Sequence, residues 1–229
     1  MALSAATGVV DTGDMRTAQP YPPALGAVDP EDAKEALRTA IRAVRQARSE
    51  RRRQQAADAF AEVLETVPGL IAAKCVAVYS SRPSEPNTGP LLEVLAARGV
   101  RIILPVLGTG LQREWAEYDG PDDLRQRAPG RPPEPGTPTL GAGALAEADV
   151  IIAPALAVDT SGARLGQGGG WYDRALEHAR AGTPVIAMVF AEEVYDAGTR
   201  PLPREAHDRM VDAVATPAGW RWLRHPPEA

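Results

Sequence analysis

The chain is poor in cysteine, histidine, lysine and aromatic residues, and each shortage excludes something. A single cysteine, Cys75, rules out an intrachain disulfide and a cysteine-based zinc cage. The three histidines, His178, His207 and His225, are too scattered for a His-rich metal site. No run approaches the ~18 apolar residues of a membrane helix, so no membrane partner is expected. Aromatic residues make up only 5%, so the core must be built from Ala, Val, Leu and Ile. The net charge of −5 supplies no bulk basic field, so nucleic acid is not expected as a partner. No basic segment leads into an apolar one near the start, so no secretory signal is read; with the lone thiol, this points to the cytoplasm. Of the 25 basic residues only Lys34 and Lys74 are lysines. A lysine that persists among arginines hints at a need for a compact charge.

What is present fits one soluble domain. At 229 residues the chain can bury one sizeable core and is marginal for two. Residues 1–28 carry small residues, Pro20, Pro22 and Pro23, and no sustained apolar period, so a disordered tail is expected there, with one domain over 29–229. Asp29-Pro30-Glu31-Asp32 is a helix start, with a capping carboxylate, proline at N1 and acids in the positive first turn. Leu37, Ile41 and Val44 follow at helical spacing, with Lys34, Arg38, Arg42 and Arg45 on an adjacent face. The pattern continues to Pro68 as one long helix or as two with a break near Ser49. The basic run Arg48, Arg51, Arg52 and Arg53 reads as a solvated face.

Beyond it, 75–79 is a short apolar strand, 88–97 a helix, and 100–107 a second strand. Strand, helix, strand marks a right-handed parallel unit. Residues 113–118 alternate like an edge strand. Six prolines over 121–138 mark a long loop or lid. Strands are expected at 149–153, 184–190 and 211–215, with a helix over 171–180. The fold class implied is α/β: an open, mostly parallel sheet with helices on both faces, in three α/β/α layers. No element shows a surplus apolar face, so a monomer is expected.

The chemistry concentrates in Val158-Asp159-Thr160-Ser161-Gly162-Ala163-Arg164-Leu165-Gly166-Gln167-Gly168-Gly169-Gly170-Trp171-Tyr172-Asp173-Arg174. Glycines here remove side chains where backbone amides face outward before a helix, which makes a nest for phosphate. Arg164 and Arg174 add charge, and Asp173 is a candidate ligand for Mg²⁺. The segment is neither a Walker loop, lacking Gly-Lys-Ser/Thr, nor a dinucleotide fingerprint.

Arg-Leu-Gly-x-Gly-x-Gly-aromatic-Tyr-Asp-Arg, after the lead Pro154 to Gly162, resembles the 5-formyltetrahydrofolate cyclo-ligases, also called 5,10-methenyltetrahydrofolate synthetases. The resemblance spans about residues 31–217. Further marks occur in order: Lys34 and Arg38, Tyr79-Ser80-Ser81, Glu85, Thr88, Pro105, Glu134-Pro135, and Leu202-Pro203 before His207-Asp208. The resemblance implies ATP and Mg²⁺ dependence. The formyl oxygen of 5-formyltetrahydrofolate is phosphorylated, N10 attacks the activated carbon, and 5,10-methenyltetrahydrofolate, ADP and phosphate result.

By position, Lys34, Arg38 and the loop Arg164, Leu165, Gly166, Gln167, Gly168, Gly169, Gly170, Trp171 and Tyr172 would bind ATP. Glu85 and the stretch Gln167, Gly168, Gly169, Gly170 and Trp171 would bind the folate, Glu85 reading the pterin. Asp173 and Asp208 would hold Mg²⁺, His207 would order the Asp208 turn, and Lys34 and Arg164 are the expected catalytic residues. Gln167 stands where the family usually carries an aromatic or basic residue, Trp171 where it carries Tyr, and Pro86 where it carries an aliphatic residue. A catalytically idle folate- or nucleotide-binding homologue is the alternative from another class. An unrelated sugar-phosphate or CoA enzyme on a similar fold is a third reading.

Overall fold

The computed structural model describes residues 19–21, 29–107 and 113–224. Helix α1 spans Pro30–Gln46, and the Asp29 carboxylate accepts from the Glu31 amide at 2.8 Å, as the start motif predicts. The helical region is broken in two: Ser49 caps α2, Glu50–Glu65, by accepting from the Arg52 amide. A single turn, α3 at Pro68–Ala72, leads into strand β1 at Cys75–Val78. Helix α4, Gly89–Ala97, then connects to β2, Arg101–Val106. Strands β3 (Glu114–Glu117), β4 (Val150–Pro154), β7 (Val185–Met188), β9 (Ala213–Thr216) and β10 (Gly219–Trp222) complete a seven-stranded sheet ordered β10-β9-β7-β4-β1-β2-β3. Its five inner strands are parallel, and β3 and β10 pair antiparallel at the ends. The sequence reading has β3 as an edge strand and omits β10, a four-residue hairpin partner of β9.

Alternation along the strands sorts the core. Val76, Val78, Ile102, Leu104 and Ile152 face Phe60 and Leu64 of α2 and Leu92 and Leu95 of α4. Ala77, Ile103, Ile151 and Ala153 face the other way, toward Trp115, Leu145, Ala175 and Leu176. That second layer is thin. It holds α5, Trp171–Ala175, and short 3₁₀ turns at Ala142–Glu147 and Leu176–His178. The helix expected over 171–180 therefore tightens into a 3₁₀ turn after Ala175 and ends before Arg180, with Ala179 already extended.

A second, three-stranded sheet was not legible beforehand. It is ordered β6-β5-β8, from Arg164–Leu165, Ala157–Asp159 and Val194–Tyr195. Helix α1 packs on this small sheet, Leu37 and Ile41 meeting Leu156, Ala157, Leu165 and Tyr195. Arg45 fastens the helix from inside. Its Nε and Nη2 each lie 2.7 Å from a Glu193 carboxylate oxygen, and Nη2 also donates to the Ala155 carbonyl. Of the basic run after it, Arg51 and Arg52 are solvated, whereas Arg48 pairs with Glu192 and lies over the Phe190 ring.

Of the expected tail, residues 1–18 and 22–28 lie outside the described residues. The short piece 19–21 lies against the small sheet. Gln19 Nε2 donates to the Glu192 and Val194 carbonyls, and Tyr195 OH donates to the Pro20 carbonyl at 2.6 Å.

Candidate active site

In the strand order, β1 is flanked by β2 and β4: the chain steps outward from β1 to β2 and β3, then crosses back to β4 on the other side. Open α/β sheets bind ligands at such a switch, beyond the carboxyl ends of the strands. A cleft of about 290 Å³ lies there, lined by Tyr79 and Ser80 after β1, Pro105 and Leu107 at the end of β2, and Pro154 at the end of β4. The opposing wall comes from α1 and the glycine loop that runs from β6 to α5. Every residue expected at the site lines this cleft: Lys34, Arg38, Glu85, Arg164, Leu165, Gly166, Gln167, Gly168, Gly169, Gly170, Trp171, Tyr172, Asp173 and Asp208.

The loop is held by its carbonyls. Arg38 Nε donates to the Gly166 carbonyl at 3.2 Å, Arg42 Nη2 to that of Gln167 at 2.9 Å, and Arg174 Nη2 to that of Gly169 at 2.8 Å. The amides of 166–170 donate to no acceptor among the described residues. Carbonyls tied back and amides left open make an anion cradle. Gly168 has φ +102°, a conformation that side-chain-bearing residues rarely adopt.

Charge surrounds the cradle. Lys34 Nζ lies 2.7 Å from both Glu205 Oε2 and Asp208 Oδ2. Burial opposes the Lys34 ammonium, but these two carboxylates outweigh it and hold its pKa above the ordinary lysine value. Burial likewise opposes the Asp208 carboxylate. The Glu205 amide and Lys34 override that and keep Asp208 below the usual carboxylate value. Arg164 is buried, donating to Asp173 Oδ1 at 2.6 Å, and its Nε has no partner among the described residues. The Tyr172 hydroxyl and Trp171 Nε1 on the cleft wall are likewise buried and unpartnered among the described residues. Buried polar atoms without partners are uncommon and mark places where a further polar group completes the structure.

The two expected metal ligands sit differently. Asp208, Glu205 and His207 each bring a ligand atom within 4.8 Å of the others. Asp173 is outside that group, with Oδ1 committed to Arg164 and the Arg209 amide. His207 is exposed, 3.7 Å from Asp208 Oδ1. On the far wall, Glu85 is buried at 7% exposure and accepts from the Arg82 amide and from Gln167 Nε2. Pro86 does not turn it away, because the Tyr79 hydroxyl holds the Pro86 carbonyl at 2.6 Å.

Sequence reasoning missed Glu205 on the cleft and Arg42, which holds the glycine loop through Gln167. Arg42 lies one turn beyond Arg38 on the same helix, which is a usable signal; Glu205 precedes His207 in a segment without periodicity. The lead motif is architectural. Asp159 accepts from Ser161, Ala163 and the Leu202 amide, and Gly162 lies so close to the Val211 carbonyl that a Cβ would meet it at 2.5 Å.

A family model for the 5-formyltetrahydrofolate cyclo-ligases matches residues 30–217. The chain belongs to the 5-formyltetrahydrofolate cyclo-ligase family. The 5-formyltetrahydrofolate cyclo-ligase of Mycolicibacterium smegmatis is 40% identical over 190 residues, covering 81% of this chain and 94% of the relative. That of Escherichia coli K12 is 31% identical over 186 residues, covering 80% of this chain and all of the relative. The solution structure of the Aquifex aeolicus 5,10-methenyltetrahydrofolate synthetase superposes with a TM-score of 0.71 at 27% identity, over 86% of this chain and 95% of that one. The cyclo-ligase fold is thus shared, with its cleft at the switch point of the large sheet. No helix among the described residues is long and apolar enough to cross a membrane.

Proposed function

We propose that the protein is an ATP-dependent 5-formyltetrahydrofolate cyclo-ligase that uses both walls of this cleft. The observation that carries the reading is the glycine loop with its open amides, set between the cations of α1 and Arg164 and facing the Glu85 carboxylate. Phosphoryl transfer asks chiefly for positioning and for charge stabilisation, and this wall offers both. In the reaction the formyl oxygen of 5-formyltetrahydrofolate attacks the γ-phosphorus and ADP leaves. N10 then attacks the formyl carbon, its proton is lost, and phosphate departs with the former formyl oxygen, giving 5,10-methenyltetrahydrofolate.

Roles follow from placement. The amides of 166–170 would receive phosphate oxygens, and Lys34, Arg38 and Arg164 would offset their charge. Glu85 would accept from the N–H groups of the aminopyrimidine, the charge-assisted pairing suited to that edge. Trp171 would offer a ring face to the folate. The donor set also fits Mg²⁺, a hard cation that takes carboxylate oxygen. Asp208 and Glu205 already converge on one cationic atom, Lys34 Nζ, and Asp173 lies on the same cleft. Bound there, the metal would neutralise phosphate charge; Asp208 and Asp173 are the residues proposed to hold it. A cytoplasmic monomer is the setting proposed, in keeping with the lone buried thiol of Cys75.

The test is direct. Methenyltetrahydrofolate absorbs in the near ultraviolet and the formyl substrate does not. Mixing protein, Mg²⁺, ATP and 5-formyltetrahydrofolate should raise that absorbance with one ADP formed per product. Tight binding of either compound without turnover would instead establish the idle homologue.

A further inference from the structure

Gln167 makes a contact that spans the cleft. Its Nε2 donates to Glu85 Oε1 at 2.8 Å, joining the glycine loop to the loop after β1 across 82 residues of sequence. The amide is oriented from behind. Arg42 Nε donates to Gln167 Oε1 at 3.3 Å, and Arg42 Nη2 to the Gln167 carbonyl at 2.9 Å. A guanidinium can only donate, so the side-chain oxygen must face Arg42 and the NH₂ must face Glu85. Arg42 is itself steadied by Glu35 at 3.2 Å. The other Glu85 oxygen already accepts from the Arg82 amide. Both oxygens of this buried carboxylate are therefore engaged by the protein itself.

We propose that Gln167 is a latch that competes with the folate for Glu85 and so sets folate affinity. The inference rests on Glu85 being the pterin-reading acid. Each carboxylate oxygen can accept twice, but Gln167 reaches Oε1 across the cleft, from the side on which two N–H donors of a ligand would approach, so a bidentate pairing displaces it. A phenyl ring at this position would have no such donor, and a basic side chain would form an ion pair, with charge on both partners. The amide caps the acid without bringing an opposing charge, so a ligand with its own N–H donors can displace it. Because the same residue belongs to the phosphate cradle, its release also frees one tether of the glycine loop.

The experiment measures binding of 5-formyltetrahydrofolate, without ATP, by titration calorimetry. The proteins are the parent, Gln167→Met, Gln167→Ala, Glu85→Ala and the Glu85→Ala/Gln167→Met double variant. Gln167→Met keeps the length and removes the donor. It should bind more tightly by about tenfold or more, the worth of one hydrogen bond to a charged acceptor. In the Glu85→Ala background the same substitution should change nothing, the mark of a pairwise contact. A second readout is free of substrate: the side-chain NH₂ resonances of Gln167 in the ligand-free protein. They should sit away from solvent values in the parent and move to them in Glu85→Ala and on adding the folate. Weaker folate binding by Gln167→Met, with unchanged thermal unfolding, would overturn the latch and make Gln167 a substrate contact. Solvent-like NH₂ resonances in the parent would overturn it as well. If Glu85→Ala binds the folate as tightly as the parent, the failure lies in the pterin assignment; the resonances then still report whether the Gln167–Glu85 bond forms.

Discussion

The Lys34 ammonium and the Asp208 carboxylate meet at 2.7 Å across 174 residues of sequence, the first helix reaching the last segment before β9. The Lys34 pKa is raised, so its share of stability is present below its unfolded value and is lost as pH rises through the folded one. The Asp208 pKa is lowered, so its share is present above the unfolded carboxylate value and is lost as pH falls through the folded one. Lys34→Met should therefore lower stability at neutral pH by about 1–2 kcal/mol, less than for a fully buried pair because Glu205 is half in solvent. Denaturant unfolding of both proteins from pH 3 to 11 should show the gap closing at each extreme. A gap that does not vary with pH would mean that the loss is one of packing.

Gly168→Val tests the cradle. The obstacle is the backbone, since φ is +102° while a Cβ would meet Arg38 no closer than 3.5 Å. The variant should fold, and ATP affinity should drop by about tenfold or more, ~1.4 kcal/mol. Unchanged affinity in equilibrium binding would move the phosphates elsewhere.

For Glu85, truncation to Ala should weaken 5-formyltetrahydrofolate by about 1.5–3 kcal/mol, the range for a hydrogen bond to a charged group. ATP affinity should be nearly unchanged. Glu85→Gln should fall between, since its amide keeps one acceptor oxygen.

Asp173→Asn should raise the Mg²⁺ concentration needed for half-maximal rate, because one anionic ligand is lost. The bond to Oδ1 can survive in the amide, but the buried Arg164 loses its counter-charge, so the thermal unfolding temperature should fall as well and the metal titration is read on the folded enzyme. A metal titration that overlays the parent's would leave the cation to Asp208 and Glu205.

Gly162→Ala is expected to harm the fold. The new methyl would press on the Val211 carbonyl at 2.5 Å with φ at +92°, costing about 1–3 kcal/mol. The check is a thermal melt, where a fall of several degrees should appear with ligand affinities preserved in the folded fraction.

The helix start at Asp29, the parallel unit around α4 and the glycine loop before α5 were legible because each depends on local rules: capping, period and glycine content. The ordered motifs then carried the family. The small sheet was not legible, since β6 and β8 have two residues each and alternation cannot show in so short a run. Its existence changes the meaning of the lead motif. Asp159 and Gly162 read from sequence as part of the chemical segment, and they turn out to shape the hairpin that delivers Arg164. Arg42 and Glu205 were missed for another reason: their importance lies in partners more than 120 residues away, Gln167 and Lys34.

The four tryptophans fall into two pairs at opposite ends of the large sheet. Trp115 and Trp171 meet edge-on at 5.4 Å beside the cleft, and Trp220 and Trp222 meet at 5.7 Å on β10. Six strand spacings separate the end strands, roughly 29 Å at about 4.8 Å each. The molecule thus carries two intrinsic fluorophores in distinct surroundings. A ligand in the cleft would alter emission from the first pair alone, while loss of the fold would expose both. Replacing Trp220 and Trp222 by Phe would leave a protein whose emission reports occupancy of its own cleft.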